Sequence, residues 1–294
     1  MRLRTLPVSI GGVLVAWGFG LHYGVFKPVP AVICLIFALL CQIASNFANE
    51  YYDYRAGRDA AGREGPRRGV TEGDITPQAM RRAVYGTLAA ACLLGLSLVY
   101  WGGWWLIAAG AVIVLGALAY SAGPFPLSTH CLGEVAVIFF FGIVPINLTY
   151  YVMAGTWQKQ VVVISVLIGM MIANVLIVNN TRDIPDDKRA HKHTLATVFG
   201  PSAMRALYLF NGMLGALGSV YYCVMVDSKA VSFIPLFFVI AFVRLSRSLE
   251  NSKGHELNWV LVSTSILCFC YCLTLAILLG VTEEPEWHPY NGYY

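Results

Sequence analysis

Long uncharged runs are the feature that most constrains how this 294-residue chain can fold. The runs without Asp, Glu, Lys or Arg are 5–26, 28–49, 83–133, 135–158, 160–181, 206–226, 230–243 and 257–282. A helix that crosses the hydrocarbon core of a bilayer needs about 20 mostly apolar residues. The run 83–133 is long enough for two helices, divided near Gly102 and Gly103. We therefore predict an all-α membrane protein, a bundle of nine transmembrane helices that forms one intramembrane domain over residues 1–294.

Composition supports a membrane protein and excludes an ordinary soluble domain. Only 12% of the residues are charged and the mean hydropathy is +0.64, whereas soluble chains carry about 25% charged residues. The first apolar segment follows two arginines, as in a signal peptide, but equally apolar segments follow it, so we interpret it as the first span. Of the eight cysteines, seven lie in apolar runs and only Cys131 falls in a predicted loop. We expect buried thiols rather than disulfides or a zinc site.

The basic residues are distributed unequally between the two sides of the predicted bundle. When the loops are numbered alternately, only Lys27, Lys159 and Lys229 of the 20 Lys and Arg residues lie opposite the N-terminus. Cytoplasmic loops carry the excess of Lys and Arg. We therefore expect an integral protein of a bacterial cytoplasmic membrane, with its N-terminus in the cytoplasm and the C-terminal tail 282–294 outside.

Two of the predicted cytoplasmic loops carry acidic residues as well as basic ones. The first begins NEYYDYRAGRD, residues 49–59, after the second predicted helix, and there Asn49 and Asp53 are four residues apart. Residues four apart lie on one face of a helix, so these two side chains can point together. Topology signals alone would explain the bases but not the acids.

The second such loop is NNTRDIPDDKRAHK, residues 179–192, after the sixth predicted helix. Asn179, Asp183 and Asp187 again lie at spacings of four. They share a helix face if the helix continues through Pro185, which favours a kink or an end there. A loop that gathers the two carboxylates would serve equally well.

Oxygen ligands of this kind suit Mg²⁺, which is usually bound by one or two carboxylates together with phosphate. The bases near the two motifs complement phosphate oxygens. Acids that hold a metal beside bases that hold phosphate predict a diphosphate site at one face of the membrane. We expect no nucleic-acid partner. The bases are Arg58, Arg67, Arg68, Arg182, Arg189 and Lys192.

These motifs resemble the two aspartate-rich motifs of the UbiA superfamily of intramembrane aromatic prenyltransferases. The segments TLPVSIGGVLVAWG, GPRRGVTEGDITPQAM, AYSAGPFPLSTHCLGEVAVIFFFG and VNNTRDIPDDKRAHKHTLATVFG are similar to the MenA-type branch, the 1,4-dihydroxy-2-naphthoate polyprenyltransferases. The resemblance runs from Arg4 to Gly200, and the last three predicted helices carry little motif. The superfamily has nine transmembrane helices.

The chain departs from the superfamily pattern at several positions. Glu50 stands where an Asp is common, and Gly57 stands where a third Asp usually lies, with Asp59 the next acid. In the second motif, His191 precedes Lys192 where Gly-Lys is usual. None of these changes removes a carboxylate that the chemistry requires.

The resemblance implies transfer of a polyprenyl group from polyprenyl diphosphate to 1,4-dihydroxy-2-naphthoate, with loss of CO₂, to give a demethylmenaquinone. It implies Mg²⁺ as cofactor, membrane lipid as surroundings, and Tyr120 as an aromatic group beside the allylic cation. Asp53, Asp183 and Asp187 are the expected catalytic carboxylates. The expected metal ligands are Asn49, Asp53, Asp59, Asn179, Asp183 and Asp187. The expected diphosphate ligands are Arg58, Arg68, Arg182 and Lys192.

Other functions remain open at this point. A UbiA relative could use another acceptor, such as 4-hydroxybenzoate, homogentisate, a porphyrin or a lipid glycerol phosphate. A membrane transporter is a distant alternative, because transporter sites lie near the bilayer midplane rather than at one face. The Asp-Gly and Ala-Arg signature of the CDP-alcohol phosphotransferases is absent. The acid Glu134, at the start of the fifth predicted helix, is either an interfacial residue or part of the acceptor site.

Overall fold

The computed structural model describes residues 6–59, 65, 67–225 and 234–282, and the side chains of 219–225 and 234–236 are not described. Arg4 and Lys229, which enter the predictions above, lie outside the described residues. So does the C-terminal tail, except for its first residue, Thr282.

The described residues are folded into helices, as predicted, and an isolated β-bridge joins His130 to His193. A short π-helical segment, Ile138–Ile143, connects α6 to α7. The helices are α1 (Leu6–His22), α2 (Pro28–Arg55), α3 (Pro77–Ser97), α4 (Val99–Gly102), α5 (Trp105–Ala119), α6 (Gly133–Val137), α7 (Val144–Ala154), α8 (Lys159–Arg182), α9 (Ile184–Arg189), α10 (Leu195–Met225), α11 (Ile234–Asn251) and α12 (Leu257–Val281).

Five helical segments in the described part are long and apolar enough to cross a membrane. Two shorter apolar helices are α1 and α5. These findings fit an integral membrane protein, while the count of nine spans stays a prediction. The five segments are Pro28–Arg55, Pro77–Gly102, Gly133–Ala154, Lys159–Arg182 and Gly254–Val281.

The main core lies around α8, which packs on α10, α12 and the π-helical segment. Two pairs of helices in this region meet at close to backbone distance. A Cβ added at Gly142 would lie 2.4 Å from Cα of Gly169, and one at Gly18 would lie 2.7 Å from Cα of Ala276. Without a hydrophobic force between helices in lipid, such close contacts are a main source of stability.

Helix α5 is packed differently from the other long helices. None of its residues is buried, and it lies mainly against α2, α3 and α4. Val114 and Leu118 form part of that contact. One face of α5 therefore remains available to border a cavity.

The described cysteines are free thiols; Cys34, Cys268 and Cys272 are buried, as expected, whereas Cys92 and Cys270 are exposed. Burial and the nearby Glu134 carboxylate raise the pKa of Cys131 above its ordinary value. This loop cysteine is thus a neutral thiol and a poor nucleophile at neutral pH.

Candidate active site

The first motif occupies the last turns of α2, where Asn49, Glu50 and Asp53 are buried. Asn49 accepts a hydrogen bond from Nη2 of Arg68 at 2.8 Å and donates one to Oγ of Ser121 at 3.0 Å. The Glu50 carboxylate accepts the backbone N–H of Val70 at 3.1 Å. Asn49 and Glu50 thus bind Arg68 and Val70 and hold this part of the chain over the end of the helix.

Asp53 is 1% exposed and lies among three cations. Its carboxylate is 3.1 Å from Nζ of Lys192, 3.6 Å from Nη1 of Arg58 and 3.8 Å from Nη2 of Arg68. Asp59, the other predicted acid of this loop, lies 3.3 Å from Nε of Arg68. A buried carboxylate is tolerated only when it is paired in this way.

The second motif is not one continuous helix. Helix α8 ends at Arg182, Asp183 lies between the helices, and α9 begins at Ile184 with Pro185 in its first turn. Proline fits a first turn because its missing N–H would have no partner there. The break still gathers the motif, since the Asp187 N–H donates to the Asp183 carbonyl at 2.8 Å.

Arg182 connects three side chains in the interior. Its Nε donates to Oδ1 of Asp183 at 2.7 Å, and its Nη2 donates to Oδ1 of Asn179 at 2.9 Å. Nη1 donates to Asn258 of α12 at 3.0 Å. The guanidinium is almost fully buried, so binding a phosphate would require it to exchange these partners.

Lys192 joins the two motifs. Its Nζ lies 3.1 Å from Asp53 and 3.8 Å from Asp187, so one ammonium group lies between carboxylates from the two loops. The predicted juxtaposition of the two loops is therefore present in the structure. Asn179 and Asp183 lie instead with Arg182, in the adjoining cluster.

The acidic side chains of the site form ion pairs with basic side chains and do not form a cluster of carboxylates alone. Within the described residues, no set of three or more His, Cys, Asp or Glu side chains is arranged to hold a metal ion. The buried oxygen atoms of the two motifs that could coordinate a metal belong to carboxylates and side-chain amides, the ligand types that Mg²⁺ prefers. In their chemistry the residues therefore fit a magnesium–diphosphate complex.

Two neighbouring cavities lie within the bundle, and the smaller one reaches the two motifs. The smaller, about 110 Å³, is bordered by Asn49 and Asn179, and the larger, about 530 Å³, is bordered mainly by apolar side chains of α2, α3, α5 and α7. Tyr120, at the end of α5, borders both cavities. The smaller cavity thus reaches an asparagine of each motif and adjoins the apolar larger cavity.

Several residues of the site were not predicted from the sequence. Ser121 holds Asn49, and Asn258 holds Arg182 from a helix without recognisable motif. A further set of site residues could have been predicted from the sequence. These are polar residues of the apolar helix α2 at spacings of three and four, which place them in one stripe on the helix surface. This stripe borders the smaller cavity and consists of Gln42, Ser45, Asn46 and Asn49.

Glu134 is not among the residues that border the two cavities. It is buried, and its Oε1 accepts a hydrogen bond from Nδ2 of Asn180 at 2.9 Å. Asn180 is in the last turn of α8, next to the second motif. This contact favours a role in joining α6 to α8 over a role in binding the acceptor.

Comparison with known proteins gives a consistent set of relatives. The profile of the UbiA prenyltransferase family matches residues 12–262. A 1,4-dihydroxy-2-naphthoate octaprenyltransferase of Mycobacterium tuberculosis is 34% identical over 278 residues, 94% of this chain and 93% of that protein. The Escherichia coli protein of the same name is 34% identical over 208 residues, 68% of this chain and 67% of that protein.

Solved structures share the fold at low sequence identity. A UbiA homologue from Archaeoglobus fulgidus, bound to DMAPP and Mg²⁺, aligns with a TM-score of 0.65 at 17% identity, over 95% of this chain and 99% of that one. The apo structure of a UbiA homologue from Aeropyrum pernix aligns with a TM-score of 0.70 at 13% identity, over 91% and 96% of the two chains.

Proposed function

The chain belongs to the UbiA prenyltransferase family, and on that premise we propose that it transfers a polyprenyl group from polyprenyl diphosphate to 1,4-dihydroxy-2-naphthoate. The product is the quinol form of a demethylmenaquinone, and the carboxyl group of the acceptor leaves as CO₂. The relatives of that name support the choice of acceptor. The observation that carries the proposal is Lys192, which joins Asp53 to Asp187 one helical turn from Asn49, a residue that borders the smaller cavity.

The reaction requires that the diphosphate leave with the electron pair of the allylic carbon–oxygen bond. A carbon–carbon bond then forms between the allylic carbon and the aromatic ring, and the electrons of the lost carboxylate stay with the ring. Negative charge grows on the diphosphate as the bond breaks. Groups already placed to stabilise that charge lower the barrier most.

The bases supply part of this stabilisation. Lys192, Arg58 and Arg68 lie within 4 Å of the Asp53 carboxylate, so a diphosphate bound near Asp53 comes within their reach. Arg182 holds Asp183 and Asn179 in place, and it binds phosphate only by exchanging those partners. We therefore assign phosphate binding to Lys192, Arg58 and Arg68 rather than to Arg182.

Magnesium supplies Lewis-acid stabilisation of the leaving diphosphate when it is bound. The carboxylates of Asp53, Asp183 and Asp187 would hold it, with Asp59, Asn49 and Asn179 as further oxygen donors. The Archaeoglobus fulgidus homologue, which binds Mg²⁺ together with DMAPP, supports this assignment.

The reaction also requires that water be excluded from the site, and the apolar cavity meets this requirement. An allylic cation that meets water gives a prenyl alcohol instead of product. The prenyl chain fits among the apolar side chains of the larger cavity, and Tyr120 stands where the two cavities join. Its ring can stabilise the cation through its electron-rich face.

The orientation follows from the same arrangement. We place the two motifs on the cytoplasmic side of a bacterial cytoplasmic membrane, with the N-terminus on that side. The excess of Lys and Arg in the loops of that side supports this orientation.

A purified-protein assay tests the function. The protein in detergent is given geranyl diphosphate, Mg²⁺ and 1,4-dihydroxy-2-naphthoate, with and without EDTA, and products are identified by mass spectrometry. We expect a prenylated, decarboxylated naphthoquinone that disappears with EDTA. Product with 4-hydroxybenzoate or homogentisate, and none with the naphthoate, would overturn the acceptor, and no diphosphate release with any acceptor would overturn the enzyme.

A further inference from the structure

The chain from the end of α5 to the start of α6 contacts both motifs. We call residues 120–134 the connecting segment. Near its beginning, Ser121 accepts the hydrogen bond from Asn49 of the first motif at 3.0 Å. At its end, the carboxylate of Glu134 accepts a hydrogen bond from Asn180, in the last turn of α8, at 2.9 Å. One short segment therefore joins the end of α2 to the end of α8.

The middle of the connecting segment is bound to the chain beside Lys192. The backbone N–H of Cys131 donates to the carbonyl of His193 at 2.8 Å, and the N–H of His193 donates to the carbonyl of Thr129 at 3.2 Å. Within the described residues, the non-glycine residues with a positive φ are Cys131, at 56°, and His191, at 52°. Such conformations cost free energy and persist where the surrounding contacts impose them. The connecting segment therefore holds the backbone next to the base that joins the two motifs.

Glu134 differs from the other buried acids of this region. The aspartates of the two motifs are paired with bases, whereas the hydrogen-bond donor to Glu134 is the neutral amide of Asn180. Glu134 is 4% exposed, and a carboxylate is costly to bury without a cation. An ionisable residue in a membrane-spanning segment therefore indicates a function. The contact that defines this function is the hydrogen bond to Asn180.

The last turn of α8 is held by side chains on two sides. The helix ends at Arg182, and the chain breaks at Asp183 before α9 begins. On one side, Arg182 donates to Asn258 of α12 at 3.0 Å. On another side, Asn180 donates to Glu134 of α6. Two contacts to different helices fix both the rotation and the position of this turn.

We propose that Glu134 is a positioning residue of the magnesium–diphosphate site, and that through Asn180 it sets the placement of Asn179 and Asp183 relative to the first motif. This inference rests on the proposed function, because it takes Asn179 and Asp183 as members of the metal site. A residue that holds metal ligands in place by a hydrogen bond typically contributes about 10- to 100-fold to metal affinity. Loss of the bond between Glu134 and Asn180 should therefore weaken magnesium binding without removing a ligand.

Magnesium binding to the purified protein tests this role without turnover. The protein in detergent is kept saturated with inorganic pyrophosphate, and its unfolding temperature is measured over a range of free Mg²⁺ concentrations. For Glu134→Leu we expect the half-saturating Mg²⁺ concentration to rise about tenfold or more. For Glu134→Gln we expect a change of less than about threefold, because the amide oxygen of glutamine still accepts the bond from Asn180.

The matched control is Asn147→Leu, which removes a buried hydrogen bond of 2.7 Å from Asn147 of α7 to Ser165 of α8. Ser165 precedes Asn180 by 15 residues along α8, about 22 Å at 1.5 Å per residue. This variant should unfold at a lower temperature and keep the half-saturating Mg²⁺ concentration of the unchanged protein. An equal rise in Asn147→Leu and Glu134→Leu would assign the effect to lost stability and overturn the positioning role.

A double variant keeps the proposal testable if Glu134→Leu does not fold. Glu134→Gln combined with Asn180→Asp exchanges the carboxylate and the amide, so both the hydrogen bond and the net charge are retained. Its half-saturating Mg²⁺ concentration should stay within about threefold of the unchanged protein. A folded double variant with magnesium binding weaker by tenfold or more would contradict the positioning role.

The same titration separates this inference from the proposed function. Equal half-saturating concentrations in the unchanged protein and in Glu134→Leu would overturn the positioning role and leave the proposed function standing. If Mg²⁺ with pyrophosphate does not stabilise the unchanged protein, the magnesium–diphosphate site on which both depend is overturned.

Discussion

Lys192 is the residue on which the two motifs converge, since its ammonium group lies between Asp53 and Asp187. Its distance from the first motif in sequence is large, and no local pattern predicts which base of the second loop reaches across. The sequence predicted a set of four candidate bases. Only the tertiary structure distinguishes Lys192, which reaches the opposite motif, from Arg182, which serves its own.

The first prediction concerns the carboxylates. Asp53→Asn and Asp187→Asn should each lower kcat/KM about a thousandfold or more, because each removes a charge that the metal and the bases need. The helical circular dichroism should stay unchanged. The control is Asp74→Asn, which changes an exposed acid paired with Arg67 in the first loop. Near-normal turnover in Asp53→Asn would contradict the magnesium–diphosphate site.

The second prediction concerns the ammonium group. Lys192→Met should raise the KM for the prenyl diphosphate about tenfold or more, because a charge-assisted contact to phosphate is lost. Steady-state kinetics with a short donor measures this change. Lys188→Met, which removes an exposed lysine from α9 of the same loop, is the matched variant and should leave KM unchanged. Equal KM values in the two variants would assign phosphate binding to the arginines.

The polar stripe of α2 shows how far residue-scale prediction could have gone. Asn49 was predicted from its spacing to Asp53, and the same spacing argument extends back to Asn46, Ser45 and Gln42. Ser121 and Asn258 had no such signal. Their roles depend on which helices are neighbours, which the local sequence does not contain.

At the scale of helices, the charge gaps predicted most of the elements, and the irregular segments were missed. The second motif was expected either to continue as a helix or to form a loop, and the structure has a break at Asp183 followed by a new helix. Pro185 carried the signal for that break. The π-helical segment had no signal, because it depends on the close approach of Gly142 to Gly169.

The third prediction tests that close approach. Gly142→Ala places a methyl group 2.4 Å from Cα of Gly169, so α8 and the π-helical segment must separate. We expect the free energy of unfolding to fall by about 2 kcal/mol or more, from overpacking in a tight contact. Thermal unfolding in detergent measures it. Gly86→Ala, in α3 with nothing within 4 Å of the new methyl, should instead be neutral or gain up to about 1 kcal/mol.

At the scale of the whole molecule, composition predicted a membrane protein and the loops predicted its orientation. What could not be predicted is the asymmetry of the bundle. The helices around α8 form a tight core, while α5 has no buried residue and borders the large cavity. Hydropathy does not distinguish the two situations, because α5 and the central part of α8 are both strongly apolar.

The fourth prediction tests the orientation. Alkaline phosphatase fused after Gly155, between α7 and α8, should be active because this loop is predicted to lie outside. The same enzyme fused after Gly73, between α2 and α3, should be inactive because that loop carries the first motif on the cytoplasmic side. A green fluorescent protein at each position should give the opposite pattern. The reverse of both results would exchange the two sides of the bundle and overturn the orientation.

The pairing of Lys192 with Asp53 has a thermodynamic consequence. Lys192, Arg58 and Arg68 together compensate the charge of Asp53, and each of these bases that turns to a phosphate oxygen leaves Asp53 with less compensating charge, which a divalent ion can restore. Affinity for the divalent ion should therefore increase when diphosphate is bound, and linkage requires the reverse effect to be equal. Calorimetric titration of each ligand with and without the other would measure this coupling. The metal and the diphosphate would then bind with positive cooperativity, each at higher affinity when the other is bound.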